Sequence, residues 1–269
     1  MPQPVTVFLS QSHALRTAMA ACVKKPLPKP VHKLRSSTRR LEATLELLAL
    51  STNLAIRRES KPLRRALRKV RRAAGSVRDL DVHRKLLRAC RRNEDTAQLD
   101  HDLISAREKA AAELCDELAR SQKKISESLD DLEGVLKPVL DLEVSGKELI
   151  HLTRGWFAKK ACRLDPKEDD ELHSIRKAGK TARYIAEAGA ETSKATAALA
   201  SRFERAQETL GAWHDYLLLL NEARASLPEQ SPTVDQIQQS AIRLREQANS
   251  VAKHLLVTIC AVPGQSGVH

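Results

Sequence analysis

The segment GSVRDLDVH, Gly75–His83, sets two aspartates one residue apart beside an arginine and a histidine. An Asp-x-Asp pair can hold a divalent metal ion, and an aspartate near a histidine can move protons. The arginine points to a third chemistry, because its planar fork matches phosphate oxygens two at a time. Two other segments repeat that theme: HKLRSSTRR, His32–Arg40, and HSIRKAGKTAR, His173–Arg183. Each opens on a histidine and continues with cations three to four residues apart.

Such spacing needs a helix to become a surface. At about 100° per residue, His32, Arg35 and Arg39 fall on one stripe, while Leu34, Leu41, Leu45 and Leu48 fall opposite. The following segment behaves alike: Lys61, Arg64, Arg65, Arg68, Arg71 and Arg72 make one face, and Leu63, Leu67 and Val70 the other. His173, Arg176, Lys180 and Arg183 share a further stripe. Periodicity predicts helices over Val5–Val23, Val31–Leu50, Ile56–Ala74, Val77–Arg91 and Gln98–Leu129. A second set covers Leu132–Arg163 (broken at Pro138 or Gly146), Glu168–Ala188, Ala195–Leu210, Ala212–Ala225 and Val234–Cys260. Gly75 and Gly211 are among the expected breaks. No hairpin pattern competes with this all-α reading.

Charge is concentrated. Residues Val31–Arg92 hold 19 Lys+Arg against 5 Asp+Glu, whereas the whole chain of 269 residues is +12, so the remainder is slightly acidic. A site for a polyanion needs such local basicity. The same region lacks Phe, Tyr and Trp, which leaves no stacking platform for single-stranded nucleic acid. Nucleic-acid binding is the alternative that the charge alone still supports. Five cysteines without a CxxC pair suggest reduced thiols, and no apolar run reaches membrane-spanning length. The expectation is a cytoplasmic protein with no membrane partner.

The chain also repeats itself. His32, Leu34, Arg35 and Arg39 correspond to His173, Ile175, Arg176 and Lys180. Downstream, AAGSVRDLD corresponds to TLGAWHDYL, pairing Gly75 with Gly211 and Asp79 with Asp215. The order is kept in both halves, which predicts a duplicated helical unit divided into residues 1–130 and 131–269.

This ordered pair of motifs resembles the CHAD family, the conserved histidine α-helical domains. The carrying residues are His32, Arg35, Arg39 and Arg40, then Gly75, Arg78, Asp79 and Asp81, with His173, Arg176, Lys180, Arg183, Tyr184, Gly211 and Asp215 in the repeat. The resemblance implies an all-α fold of two helical bundles related by a pseudo-twofold around a basic central groove. It implies inorganic polyphosphate as ligand, with polyphosphate granules and a CYTH-type enzyme as associated partners. Two positions depart from the pattern: His214 stands where the first half has Arg78, and Leu217 where it has Asp81.

The expected polyphosphate-binding set is therefore His32, Arg35, Arg39, Arg40, Arg64, Arg68, Arg71 and Arg78, with His173, Arg176, Lys177, Lys180 and Arg183 in the second half. For His32 and His173, ligand contact and simple packing both stay open. Arg78 either meets phosphate or pairs with Asp79 or Asp81. Asp79 reads as a helix cap or as an orienter of a nearby arginine; Asp81 has no assigned role. No catalytic residue, metal site or cofactor is expected, since cations surround His32 and neither a phosphate-binding loop nor an HExxH segment occurs.

Overall fold

The helical composition is borne out without exception in type: a computed structural model describes residues 1–260, and no strand occurs among them. The order is α1 (Pro4–Lys24), α2 (Pro28–Ser51), the single turn α3 (Ile56–Glu59), α4 (Lys61–Leu87) and α5 (Glu94–Leu136). A 3-10 turn (Lys137–Val139) leads to α6 (Gly146–Ala161), α7 (Asp169–Glu187), α8 (Lys194–Ser226) and α9 (Pro232–Cys260). Prolines sit at the starts of α1, α2 and α4, where the missing N–H costs nothing. Asn93 caps α5 through a reciprocal capping box with Thr96.

Two expected breaks are corrected. Gly75 lies inside an uninterrupted α4 and Gly211 inside an uninterrupted α8. One glycine in a helix interior costs only about 0.5–1 kcal/mol relative to alanine. Helix formers and buried leucines on both sides outweigh that. The break expected at Pro138 or Gly146 is observed between Leu136 and Gly146.

The chain divides into two compact units, each discontinuous in sequence. The large unit comprises Gln3–Val144 and Asp215–Ala241; the small unit comprises Met1–Pro2, Ser145–His214 and the chain from Ile242 onward. The position between residues 130 and 131 falls within α5. In the large unit, Phe8, Leu15, Leu34, Leu41, Leu45, Leu67, Val70, Leu114 and Leu118 form one continuous core that also takes in Leu219, Leu220, Ile237 and Ala241. In the small unit, Phe157 and Phe203 meet edge to face at 5.1 Å, among buried residues that include Ile175, Ile185 and Leu255.

The cysteine reading is also corrected. Cys162 and Cys260 are joined in a disulfide, bringing the end of α6 to the end of α9 within the small unit. They are 98 residues apart and share no motif, so spacing carried no hint of the pairing. Cys22, Cys90 and Cys115 are free, and burial pushes the Cys22 thiol up to about 11. Among the described residues no helix is long and apolar enough to cross a membrane.

Candidate functional site

Helices α2 and α4 run antiparallel, as three ion pairs show. Arg35 of α2 binds Asp79 of α4 at 2.6 Å, Glu42 binds Arg71, and Glu46 binds Arg64 at 2.8 Å. The sequence arranges this by placing both signs of charge on one side of α2. Arg35, Arg39, Glu42 and Glu46 follow one another along a stripe opposite the buried Leu34, Leu41, Leu45 and Leu48. On α4 the matching side carries Arg64, Arg71, Gly75 and Arg78. A half-exposed ion pair contributes about 0–1 kcal/mol, so the main effect of these bridges is to fix where each guanidinium lies.

Arg64 is held further by Ser60 Oγ at 2.9 Å, and Arg35 is held twice by α4. Its Nη1 donates to the Asp79 carboxylate and, at 3.4 Å, to the Gly75 carbonyl. A Cβ at Gly75 would stand 3.6 Å from that nitrogen, which is ordinary contact; a longer side chain would displace the guanidinium. Asp79 is therefore no helix cap. It lies deep inside α4 and orients an arginine, the other alternative that the sequence left open. Arg78, half-buried on the same helix, forms no ion pair with either aspartate. His32 is exposed one turn before Arg35.

Asp81 gains a role that the sequence did not supply. Its side chain is 8% exposed and accepts from Arg107 Nε of α5 at 3.0 Å. Arg107 also donates through Nη2 to the Pro26 carbonyl at 2.7 Å, in the turn between α1 and α2. Asp81 thus ties α4, α5 and the entry of α2 together, upstream of His32 and Arg35. Nothing local to Arg107 marks it in the sequence. Glu42 and Glu46 were discoverable, since they share the stripe of Arg35.

Arg68 lies in angle between Gly75 and Asp79 on α4, at the edge of this face. It is exposed and lines an open recess with Lys69, Arg72, Ser76, Glu113, Glu117 and Arg120. Arg40 is exposed and turned about 100° from Arg39. The large unit therefore sets His32, Arg35, Arg39, Arg64, Arg71 and Arg78 along the α2–α4 face, with Arg68 at its edge, and leaves Arg40 outside.

The small unit uses the corresponding residues differently. Its α7 carries His173, Arg176, Lys177, Lys180 and Arg183. Arg183 is held by two carboxylates, Glu187 on its own helix and Glu204 on α8, both at 2.6 Å. Arg176 is 7% exposed, Lys180 is half-buried, and Lys177 is exposed. His173 stacks on His214 of α8 with ring centroids 4.8 Å apart. Burial, then the neighbouring His214, Lys177 and Arg176, push the His173 pKa down to about 4, against a weaker opposite pull from Asp170. His173 is therefore uncharged at neutral pH.

The comparisons with known proteins bear on this geometry. The family model described as the CHAD domain matches residues 7–224, a span that includes both histidine stripes and both Gly-x-x-x-Asp segments. The chain belongs to the CHAD family. Its fold is similar to the crystal structure of the CHAD domain from the plant Ricinus communis, at 18% identity and a TM-score of 0.66, covering 97% of this chain and 91% of that one. It is also similar to PptA from Streptomyces chartreusis, at 15% identity and a TM-score of 0.65, covering 97% and 100%. No curated protein matches in sequence. Among the described residues, no group of three or more His, Cys, Asp or Glu is placed to hold a metal ion.

Proposed function

We propose that this CHAD protein binds inorganic polyphosphate without acting on it chemically, chiefly through the α2–α4 face of the large unit. The observation that carries this reading is the mounting of Arg35. Asp79 and the Gly75 carbonyl fix its guanidinium on one side. Arg39 follows one turn along α2, and Arg78 lies three residues beyond Gly75 on α4. Arginine forks match phosphate oxygens in pairs. A helix face with several of them meets a flexible phosphate chain without needing a fixed register. His32 extends the face toward the N-terminus of α2, where the helix dipole also favours an anion. Lys177, Lys180, Arg176 and Arg183 of the small unit supply a weaker second contribution.

Polyphosphate granules and a CYTH-type enzyme are the associated partners that family membership suggests for this activity. The reading is tested by the double substitution Arg35→Glu with Arg39→Glu. We expect long-chain polyphosphate binding to be lost while circular dichroism stays helical; unchanged affinity in the folded variant would remove the reading. Competition against duplex DNA, single-stranded RNA and tripolyphosphate separates the ligand classes, and a preference for duplex DNA would favour the nucleic-acid alternative. Affinity should fall steeply with salt, as it does when several phosphates release counterions. Phosphate release in the presence of magnesium would show catalysis instead.

A further inference from the structure

Helix α4 carries more positive charge than the face just described uses. From Lys61 to Arg78 it contains eight Lys and Arg residues and no Asp or Glu. The fold sorts these cations by function. Arg64 and Arg71 turn toward α2 and are neutralised there by Glu46 and Glu42. Lys61, Arg65, Arg68, Lys69 and Arg72 lie further round the helix toward solvent, and all five are exposed. Among the described residues, the side chains of these five form no ion pair or hydrogen bond.

Their spacing makes this outer lane costly for the helix alone. Lys61–Arg65, Arg65–Lys69 and Arg68–Arg72 are like-charge pairs at i,i+4, and Arg65–Arg68 and Lys69–Arg72 at i,i+3. Each such pair disfavours the helix modestly, and no carboxylate on α4 relieves them before Asp79. The lane is also shaped. Alongside α5 it borders the recess lined by Arg68, Lys69, Arg72, Ser76 and Arg120. The two glutamates of that recess differ: Glu117 is engaged by Ser121 and Arg120, whereas Glu113 is exposed. Lys61 to Arg72 spans about 16 Å of helix. That length suits an extended polyanion and exceeds what a single small anion can contact.

We propose that the outer flank of α4 is a second polyanion subsite, taking the continuation of a long phosphate chain whose nearer part lies on the α2–α4 face. The proposal rests on the polyphosphate reading given above. It commits to a phosphate chain because the lane offers cations along a line, with no aromatic side chain anywhere between Val31 and Arg92 to stack a base. Short chains are satisfied by the α2–α4 face; long ones gain the extra contacts.

The test uses the full chain with Arg65→Gln, Lys69→Gln and Arg72→Gln combined. Binding of tripolyphosphate and of long-chain polyphosphate is measured by calorimetry across a salt series, beside wild type and an Arg35→Gln control. We expect the triple variant to bind tripolyphosphate as wild type does. Its affinity for the long chain should fall at least about tenfold, and its salt slope should shrink by about 2, the value for three lost contacts by analogy with single-stranded nucleic acid. Arg35→Gln should weaken both ligands. Wild-type long-chain affinity and slope in the triple variant would overturn the second subsite while leaving the polyphosphate reading intact. An equal loss for both ligands would also overturn it, since the lane would then be part of the first site. Failure of wild type to bind either ligand would overturn both.

Discussion

The α2–α4 face of the large unit and the α7–α8 face of the small unit carry the same motif order but offer different amounts of charge. On α2, each bridging contact joins one helix to its neighbour: Arg35 with Asp79, Glu42 with Arg71, Glu46 with Arg64. Arg78 adds a cation that forms no ion pair among the described residues. On α7, Arg183 is shared between two carboxylates, Arg176 is almost fully covered, and the histidine is stacked and uncharged. His214 of that stack occupies the position that Arg78 holds in the other half of the sequence repeat. The difference teaches that a His-x-x-Arg-x-x-x-cation segment specifies a surface but not its availability. Availability is decided by the acids and rings that the next helix brings.

The largest effect should come from removing the side of this comparison that carries more arginines. Arg35→Gln with Arg78→Gln should weaken long-chain polyphosphate binding roughly a hundredfold, taking about 1.5 kcal/mol or more for each charged contact. Lys177→Gln with Lys180→Gln should cost only a few-fold. Equal losses in the two double variants, measured by calorimetry, would erase the distinction between the units.

Asp79→Asn is the next test and has an unexpected sign. It removes a negative charge from a face that binds an anion, so simple electrostatics predicts tighter binding. If Asp79 serves to aim Arg35, affinity should instead fall about tenfold, or about 1.4 kcal/mol. Tighter binding by Asp79→Asn would reduce Asp79 to a neutralising charge. Glu187→Gln with Glu204→Gln releases Arg183 and should raise affinity about threefold, making the small unit resemble the large one.

The smallest effect concerns pH. The folded pKa of His173, about 4, lies below its ordinary value of 6.5, so the unfolded chain takes up the proton first as pH falls. Stability from the uncharged stack is complete above about pH 6.5 and is lost as pH falls toward 4. Urea midpoints taken across that window should drop in wild type and drop less in His173→Gln.

Much of this was legible in the residues themselves. The two histidine stripes, the all-α architecture and the basic segment follow from periodicity and charge, because helix faces are local consequences of spacing. The places where reading stopped are those decided between elements. Gly75 looked like a break because its local propensity is poor; its actual setting is the close approach of Arg35 from another helix. Asp81 looked like half of a metal pair, yet its partner is Arg107, 26 residues on and in no motif. Arg64, Arg68 and Arg71 looked like one face. The carboxylates of α2 separate them, and those lie on a helix whose register against α4 is a tertiary fact. For His173 the sequence left ligand contact and packing open, and the stack against His214 lies on another helix.

The long helices α8 and α9 have a practical consequence. α8 leaves the small unit at His214 and α9 re-enters it at Ile242, each without a loop at that point. An excised fragment of residues 1–130 would therefore lack Leu219, Leu220, Ala223, Ile237 and Ala241, all buried in its own core. Such a fragment would carry the arginine-rich face on an incomplete scaffold with an oily wound. Truncation is thus the wrong scissors for separating the two faces, and point substitutions in the intact chain are the right ones.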